Sequence, residues 1–318
     1  MSARAGIGDS ELKTRVLEFN KPSCLEDFDE RPFEFRHSFT SDHPLFSRER
    51  LRRLLINPAT KNNVYYNAGD ISVGQRWDAV PERTKPVEEV FDSVENAGAW
   101  IALLRVNEDP EYGLLLEDCL SEVKRLSGRL IDKDKKTQGA DIYITSPGRV
   151  TMYHVDPICN FLMQISGEKQ IHVFDRNDRE VMPEEELERF WVSHDHSVKY
   201  RRELESRAEV FTLRPGTGVH LPVTSPHWLK NGNDISISLS INYHYKDARR
   251  KNVYQANYYL RKMGLKPKGQ RLVEVGGHHF DVLVTEAKGD GPDGELYFNI
   301  DVPHQALFKA LQPRTSPK

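Results

Sequence analysis

From Ala140 to Tyr245 the apolar positions recur with a period of two, the pattern of strands that pack one face. It is cleanest in the run DISISLSIN. There Ile235, Ile237, Leu239 and Ile241 share one face, and Ser236, Ser238, Ser240 and Asn242 share the other. Ile142 and Ile144 alternate with polar or aromatic neighbours, and Lys169, Ile171 and Val173 alternate with Gln170, His172 and Phe174. Ser-Pro-Gly, Gly-Glu-Lys and Arg-Pro-Gly-Thr-Gly separate these short runs, which predicts a jelly roll or similar barrel. A charged insertion, Asp178 to Arg207, interrupts them and carries a short helical pattern at PEEELERFW.

Helical spacing flanks this β region. Ser47 caps a predicted helix whose Leu51, Leu54 and Leu55 share a face and which Asn57-Pro58 stops. Asp109-Pro110 starts another, with an apolar stripe of Leu115, Cys119, Val123, Leu126 and Leu130, followed by a basic linker, Asp132 to Lys136. Beyond the strands, Val253, Ala256, Leu260 and Met263 form a stripe that ends at Gly264, with Pro267 after it. FDVLVTEAK and GELYFNIDV flank a GDGPDG turn and read as a hairpin, and a short helix is predicted at Gln305 to Leu311. The expected fold is mainly β with helical cover on both sides.

Composition changes this picture little. The 318 residues carry 45 Lys+Arg against 48 Asp+Glu, a net charge of −3, which gives no general field for nucleic acid or an anionic membrane. Cys24, Cys119 and Cys159 are too few and too scattered for a disulfide framework or a zinc ribbon. The start, MSARAGIGDSELK, has no apolar segment of a secretory signal, and the stretch Ala97 to Val106 is too short to span a bilayer. A cytoplasmic protein is expected.

Candidate chemistry centres on histidine. His154-Val155-Asp156 is a His-x-Asp pair; on a strand, residues two apart point the same way and can meet one ion. A third ligand from elsewhere would complete a facial triad that leaves iron(II) positions open. With 12 histidines and 48 acidic residues, about two such pairs are expected by chance. His279-Phe280-Asp281 is a second pair, and His194-Asp195-His196 is a third chelating pattern. The last lies in the charged insertion without strand pattern. His279 opens the C-terminal hairpin and is followed only by His304. His154 opens a series of strands and is followed by His220 and by His227 on a Pro-rich turn, so context favours it.

The stretch from Thr151 to Lys169, TMYHVDPICNFLMQISGEK, resembles the core of JmjC-type, or cupin-8-like, iron(II)/2-oxoglutarate oxygenases. PGTGVHLPVTSPHWLKN, Pro215 to Asn231, is similar to that family's distal-ligand region. Asparaginyl hydroxylases and small bacterial cupin-like hydroxylases share the pattern. The resemblance implies a double-stranded β-helix (jelly roll, cupin-like). It implies His154, Asp156 and His227 as metal ligands and leaves His220 as wall. It further implies that Thr151 and Lys169 hold the far carboxylate of 2-oxoglutarate, and that Asn160 and Asn242 lie near its metal-proximal end. Residues 1–139 would form an N-terminal α/β cover and 140–247 the catalytic core, with 248–318 as a helical and hairpin extension.

The expected activity is hydroxylation of an amino-acid side chain in a peptide, or of a small amino-acid-derived substrate. Fe(II), 2-oxoglutarate and O2 are consumed or bound, and succinate and CO2 are released. An N-demethylase of the same family and a non-oxygenase cupin-like metal-binding protein are the alternatives. No nucleic-acid or membrane partner is expected, and a homodimer through the C-terminal helix or hairpin is. Two physical points bear on this reading. Lys169 lies on an apolar strand face, where a buried ammonium needs a partner. Thr151 and His154 differ in strand parity, so both face one pocket only if the strand is irregular between them.

Overall fold

The structure, a computed structural model, describes residues 16–19, 22–57, 61–128, 138–193, 195–196, 198–243, 248–275, 278–286 and 296–299. The Asp132–Lys136 linker, the GDGPDG turn, His194, His304 and the Gln305–Leu311 helix lie outside the described residues.

The chain starts with strands β1 (Leu17–Phe19) and β2 (Phe33–His37), then helix α1 (Arg48–Ile56). Ser47 caps α1 by accepting from the Arg50 N–H, and Leu51, Leu54 and Leu55 are buried as their spacing predicts. Next come β3 (Val64–Asn67), α2 (Val87–Asp92), β4 (Trp100–Leu103) and α3 (Pro110–Ser127). Asp109 caps α3 with Pro110 in its first turn. Gly128 turns left-handed (φ 66°) and closes the helix; Leu130 of the expected stripe lies outside the described residues.

The β region comprises β5 (Gly139–Thr145), β6 (Val150–His154), β7 (Cys159–Ser166) and β8 (Lys169–Val173). After α4 (Glu184–Ser193) come β9 (Glu209–Leu213), β10 (Thr217–Leu221), β11 (His227–Asn231) and β12 (Ser236–Tyr243). Then follow α5 (Ala248–Lys262), β13 (Lys266–Val275), β14 (His278–Glu286) and β15 (Leu296–Asn299). An eight-stranded sheet runs β1-β2-β10-β7-β12-β5-β4-β3 and a four-stranded sheet runs β6-β11-β8-β9, all pairs antiparallel. This is the expected jelly-roll arrangement, mostly antiparallel strands with helical cover. β14 and β15 pair as expected, but β13 joins them as a third strand that the sequence pattern did not disclose.

One apolar cluster covers the outer face of the large sheet. Ile142, Ile144, Leu239 and Ile241 pack there with Leu115, Cys119 and Val123 of α3. A second, smaller cluster lies between the sheets, with Leu162, Ile171, Val173, Leu221 and Leu229. The serine face of β12 is neither solvated nor open to a cavity. Ser236, Ser238 and Ser240 are fully buried. Gln164 Nε2 donates to Ser236 Oγ (2.9 Å), and Ser238 Oγ donates to Gln164 Oε1 (2.8 Å). A cross-strand glutamine thus satisfies the hydroxyls in a dry ladder.

The apolar stripe of α5 is used within one chain. Val253, Ala256 and Leu260 are buried, and α5 packs on α4 through Gln255 donating to the Trp191 carbonyl (2.8 Å) and Arg261 donating to Glu188 (2.9 Å). Met263 lies beyond the helix and is exposed. No described helix is long and apolar enough to cross a membrane.

Candidate metal centre

β6 ends on His154 and β11 begins on His227, and the two residues are direct cross-strand partners. Their rings lie 4.2 Å apart between centroids. Asp156 follows in the loop after β6, with Oδ2 at 3.8 Å from His154 Nε2 and 3.9 Å from His227 Nε2. One donor atom from each residue falls within 4.8 Å of the other two, and His154 and His227 are buried.

The tautomers are set by neighbours. His154 Nδ1 lies 2.7 Å from the Met152 carbonyl and His227 Nδ1 2.9 Å from that of Ser225. A carbonyl only accepts, so each Nδ1 carries the proton and each Nε2 presents a lone pair to the common point. The turn before His227 is held in place: Thr224 adopts φ 59° and its N–H donates to the Asp156 carbonyl (2.9 Å). Burial, and then the neighbouring His227, push the His154 pKa down to about 3. Burial alone would raise the Asp156 pKa, but the three surrounding histidines outweigh it and hold this carboxyl below its ordinary range. At neutral pH the His154 imidazole is neutral and Asp156 is a carboxylate, which suits the set to a divalent metal. The donor chemistry and spacing fit a metal.

These donors line a cavity of about 780 Å³. Lys169 opens into the same cavity from β8, buried beside Ile171 and Val173 as its alternation predicts. Its ammonium forms no ion pair or hydrogen bond among the described residues, and burial lowers its pKa to about 7. An unpaired buried cation facing a metal-donor set fits an anionic cosubstrate. Thr151 also lines the cavity. The register between β6 and β11 shifts so that Thr151 faces Leu229 while His154 faces His227. Three steps along β6 match two along β11, and this irregularity brings both parities to one pocket.

Asn160 lines the cavity, whereas Asn242 is not brought to it. Asn242 Nδ2 donates to Asp141 Oδ2 (2.7 Å), which turns its Oδ1 toward Asn160 to accept from Nδ2 at 2.8 Å. Asn160 Oδ1 is left buried without a hydrogen-bond partner among the described residues. His220 is fully buried elsewhere, stacked on Phe28 and 3.2 Å from Asp29, and His279 lies on β14.

Several cavity residues escaped sequence reasoning. Tyr143, which alternates with Ile142 and Ile144, faces inward; its parity opposite two core isoleucines was the available signal. Trp77 meets the His154 ring edge-on at 5.4 Å and Trp100 at 5.5 Å. His196 Nδ1 lies 3.3 Å from Asp156 Oδ1, and that hydrogen bond raises its pKa. Its pattern was visible in the sequence as His-Asp-His, but nothing placed the insertion against the metal donors.

A family model described as "Cupin-like domain" matches residues 54–250. Among solved structures, Escherichia coli YcfD is similar at 15% identity and a TM-score of 0.49, covering 94% of this chain and 69% of that one. The ribosomal oxygenase YcfD from Escherichia coli in complex with cobalt and 2-oxoglutarate is similar at 14% identity and 0.49, covering 94% and 68%. The DMSP lyase DddQ from Ruegeria pomeroyi DSS-3 shares 12% identity at a TM-score of 0.23, over 35% of this chain and 41% of that one. No curated protein sequence matches the chain.

Proposed function

We propose that this chain, which belongs to the Cupin-like domain family, is an iron(II)- and 2-oxoglutarate-dependent oxygenase that hydroxylates its substrate. The observation that carries the reading is one cavity holding two features, the His154–Asp156–His227 donor set and the unpaired Lys169 ammonium.

In this reading His154, Asp156 and His227 hold the metal and Lys169, with the Thr151 hydroxyl, holds the far carboxylate of 2-oxoglutarate. When bound, iron(II) with 2-oxoglutarate and O2 supplies the oxidising power, with succinate and CO2 released. The chain's own residues bind, orient and exclude water. Asn242 acts on the site only by fixing Asn160, whose free Oδ1 accepts a hydrogen bond from a group at the metal. Trp77, Trp100 and Tyr143 wall the outer cavity. Its volume exceeds the needs of a metal and a five-carbon diacid, which supports a sizeable substrate, an amino-acid side chain presented by a peptide or a small amino-acid-derived molecule. The free, buried cysteines support a reducing, cytoplasmic setting. With the α5 stripe used internally, two copies pair through the C-terminal strands; a monomeric mass by light scattering removes that part.

The test is turnover with iron(II), 2-oxoglutarate and candidate peptides. Succinate with a product heavier by one oxygen is expected. Loss of a methylene identifies a demethylase, and metal binding without any succinate leaves the non-oxygenase reading.

A further inference from the structure

The two oxygens of Asp156 face different partners. Oδ2 is turned to the Nε2 atoms of His154 and His227, at 3.8 and 3.9 Å. Oδ1 is turned away from them, 3.3 Å from His196 Nδ1. The residue that meets Oδ1 is not on a barrel strand; it comes from the part of the charged insertion that follows α4.

That insertion is fastened at this point. His196 Nδ1 also lies 2.8 Å from the Val155 carbonyl, so its single N–H is shared between that oxygen and Asp156 Oδ1. The Val155 N–H in turn donates to the His196 carbonyl at 3.3 Å, and Phe190 of α4 packs edge-on against the imidazole at 5.8 Å. One residue earlier, Asp195 accepts from Arg76 at 3.0 Å, and Arg76 adjoins Trp77, whose ring abuts His154. The segment is thus pinned to the metal loop on one side and to the Trp77 turn on the other.

We propose that His196 is a positioning residue, holding Asp156 Oδ1 so that the carboxylate offers the metal Oδ2 alone. The inference rests on the metal reading of the preceding section. Its chemical consequence concerns open positions. A carboxylate that rotated to give both oxygens would take a position that a chelating cosubstrate or oxygen needs. Asp156 lies in a loop, and its backbone carbonyl is already taken by the Thr224 N–H. Among the described residues the His196 N–H is what meets Oδ1 and restrains that rotation, and it is supplied by the insertion and not by the barrel.

The test uses cobalt(II) as the probe, because its visible absorption reports coordination without turnover. Wild type, His196→Asn, His196→Ala and His196→Phe are compared in cobalt affinity, cobalt spectrum and 2-oxoglutarate affinity of the cobalt-loaded protein. His196→Asn keeps a short N–H donor, whereas His196→Phe keeps the ring volume without one and serves if His196→Ala folds poorly. The expected result is an altered cobalt spectrum and about tenfold weaker 2-oxoglutarate binding in the Ala and Phe variants, with both restored in His196→Asn. A purely structural role predicts equal losses in the Asn and Phe variants with an unchanged spectrum. Wild-type behaviour of His196→Ala or His196→Phe, or that structural pattern, overturns the proposal and leaves the metal reading intact. Wild type that binds no cobalt overturns the metal reading and, with it, this role.

Discussion

Lys169→Met separates the stability of the protein from its function. In the folded, ligand-free chain, burial lowers the Lys169 pKa from 10.5 to about 7. A drop of that size corresponds to about 4–5 kcal/mol of differential interaction between the two protonation states. The sign follows from proton counting. Between pH 7 and 10.5 the unfolded chain holds a proton that the folded chain has lost, so folding stability rises with pH across that window. The penalty is therefore full at and below pH 7 and fades toward pH 10.5. Methionine fills nearly the same volume without a charge, so Lys169→Met is expected to stabilise the metal-free, cosubstrate-free protein by about 2–4 kcal/mol at pH 7. By pH 10 the gain falls below about 1 kcal/mol. The same change removes a charge-assisted contact and weakens 2-oxoglutarate binding by about ten- to a hundredfold. Urea unfolding at pH 7 and pH 10, with calorimetry for the cosubstrate, reads all three. A variant no more stable than wild type at pH 7, or a gain that does not shrink at pH 10, refutes the assignment of Lys169 as an unpaired buried amine.

His154→Ala, Asp156→Ala and His227→Ala should each lose the metal by elemental analysis, while His220→Ala and His279→Ala keep it; retention in His154→Ala with loss in His279→Ala reverses the choice of His-x-Asp. The affinity of wild type for 2-oxoglutarate should fall as pH rises above 7, because Lys169 must regain a proton to pair, levelling off about ten- to a hundredfold down, and should stay flat in Lys169→Met. Gln164→Leu leaves the Ser236 and Ser238 hydroxyls buried without their cross-strand partner and should cost about 2–4 kcal/mol in thermal or urea unfolding. A loss under about 0.5 kcal/mol would contradict the dry-ladder account.

What could be read in advance follows from where periodicity meets a packed face. The Ile face of β12 was legible because it packs on α3, and Lys169 because a charge in an apolar alternation stands out. The fate of the serine face was not, since identical alternation serves water or a neighbouring strand, and only the register that sets Gln164 opposite Ser238 decides. The irregularity of β6 leaves no trace in residue type, although it brings Thr151 to the pocket. β13 escaped because KPKGQ, with proline and glycine, carries no alternation at its start. His196 escaped because its loop has no period at all; its place depends on Val155, forty-one residues earlier.

In the proposed function one cavity holds a metal and 2-oxoglutarate together. Calorimetric titration of 2-oxoglutarate into the iron(II)-loaded protein without oxygen reads this joint occupancy. One iron and one 2-oxoglutarate per chain are expected, with cosubstrate binding that needs the metal and is weakened at least tenfold by Lys169→Met. Iron-loaded wild type that takes up no 2-oxoglutarate, or takes it up equally well without His227, would contradict that reading.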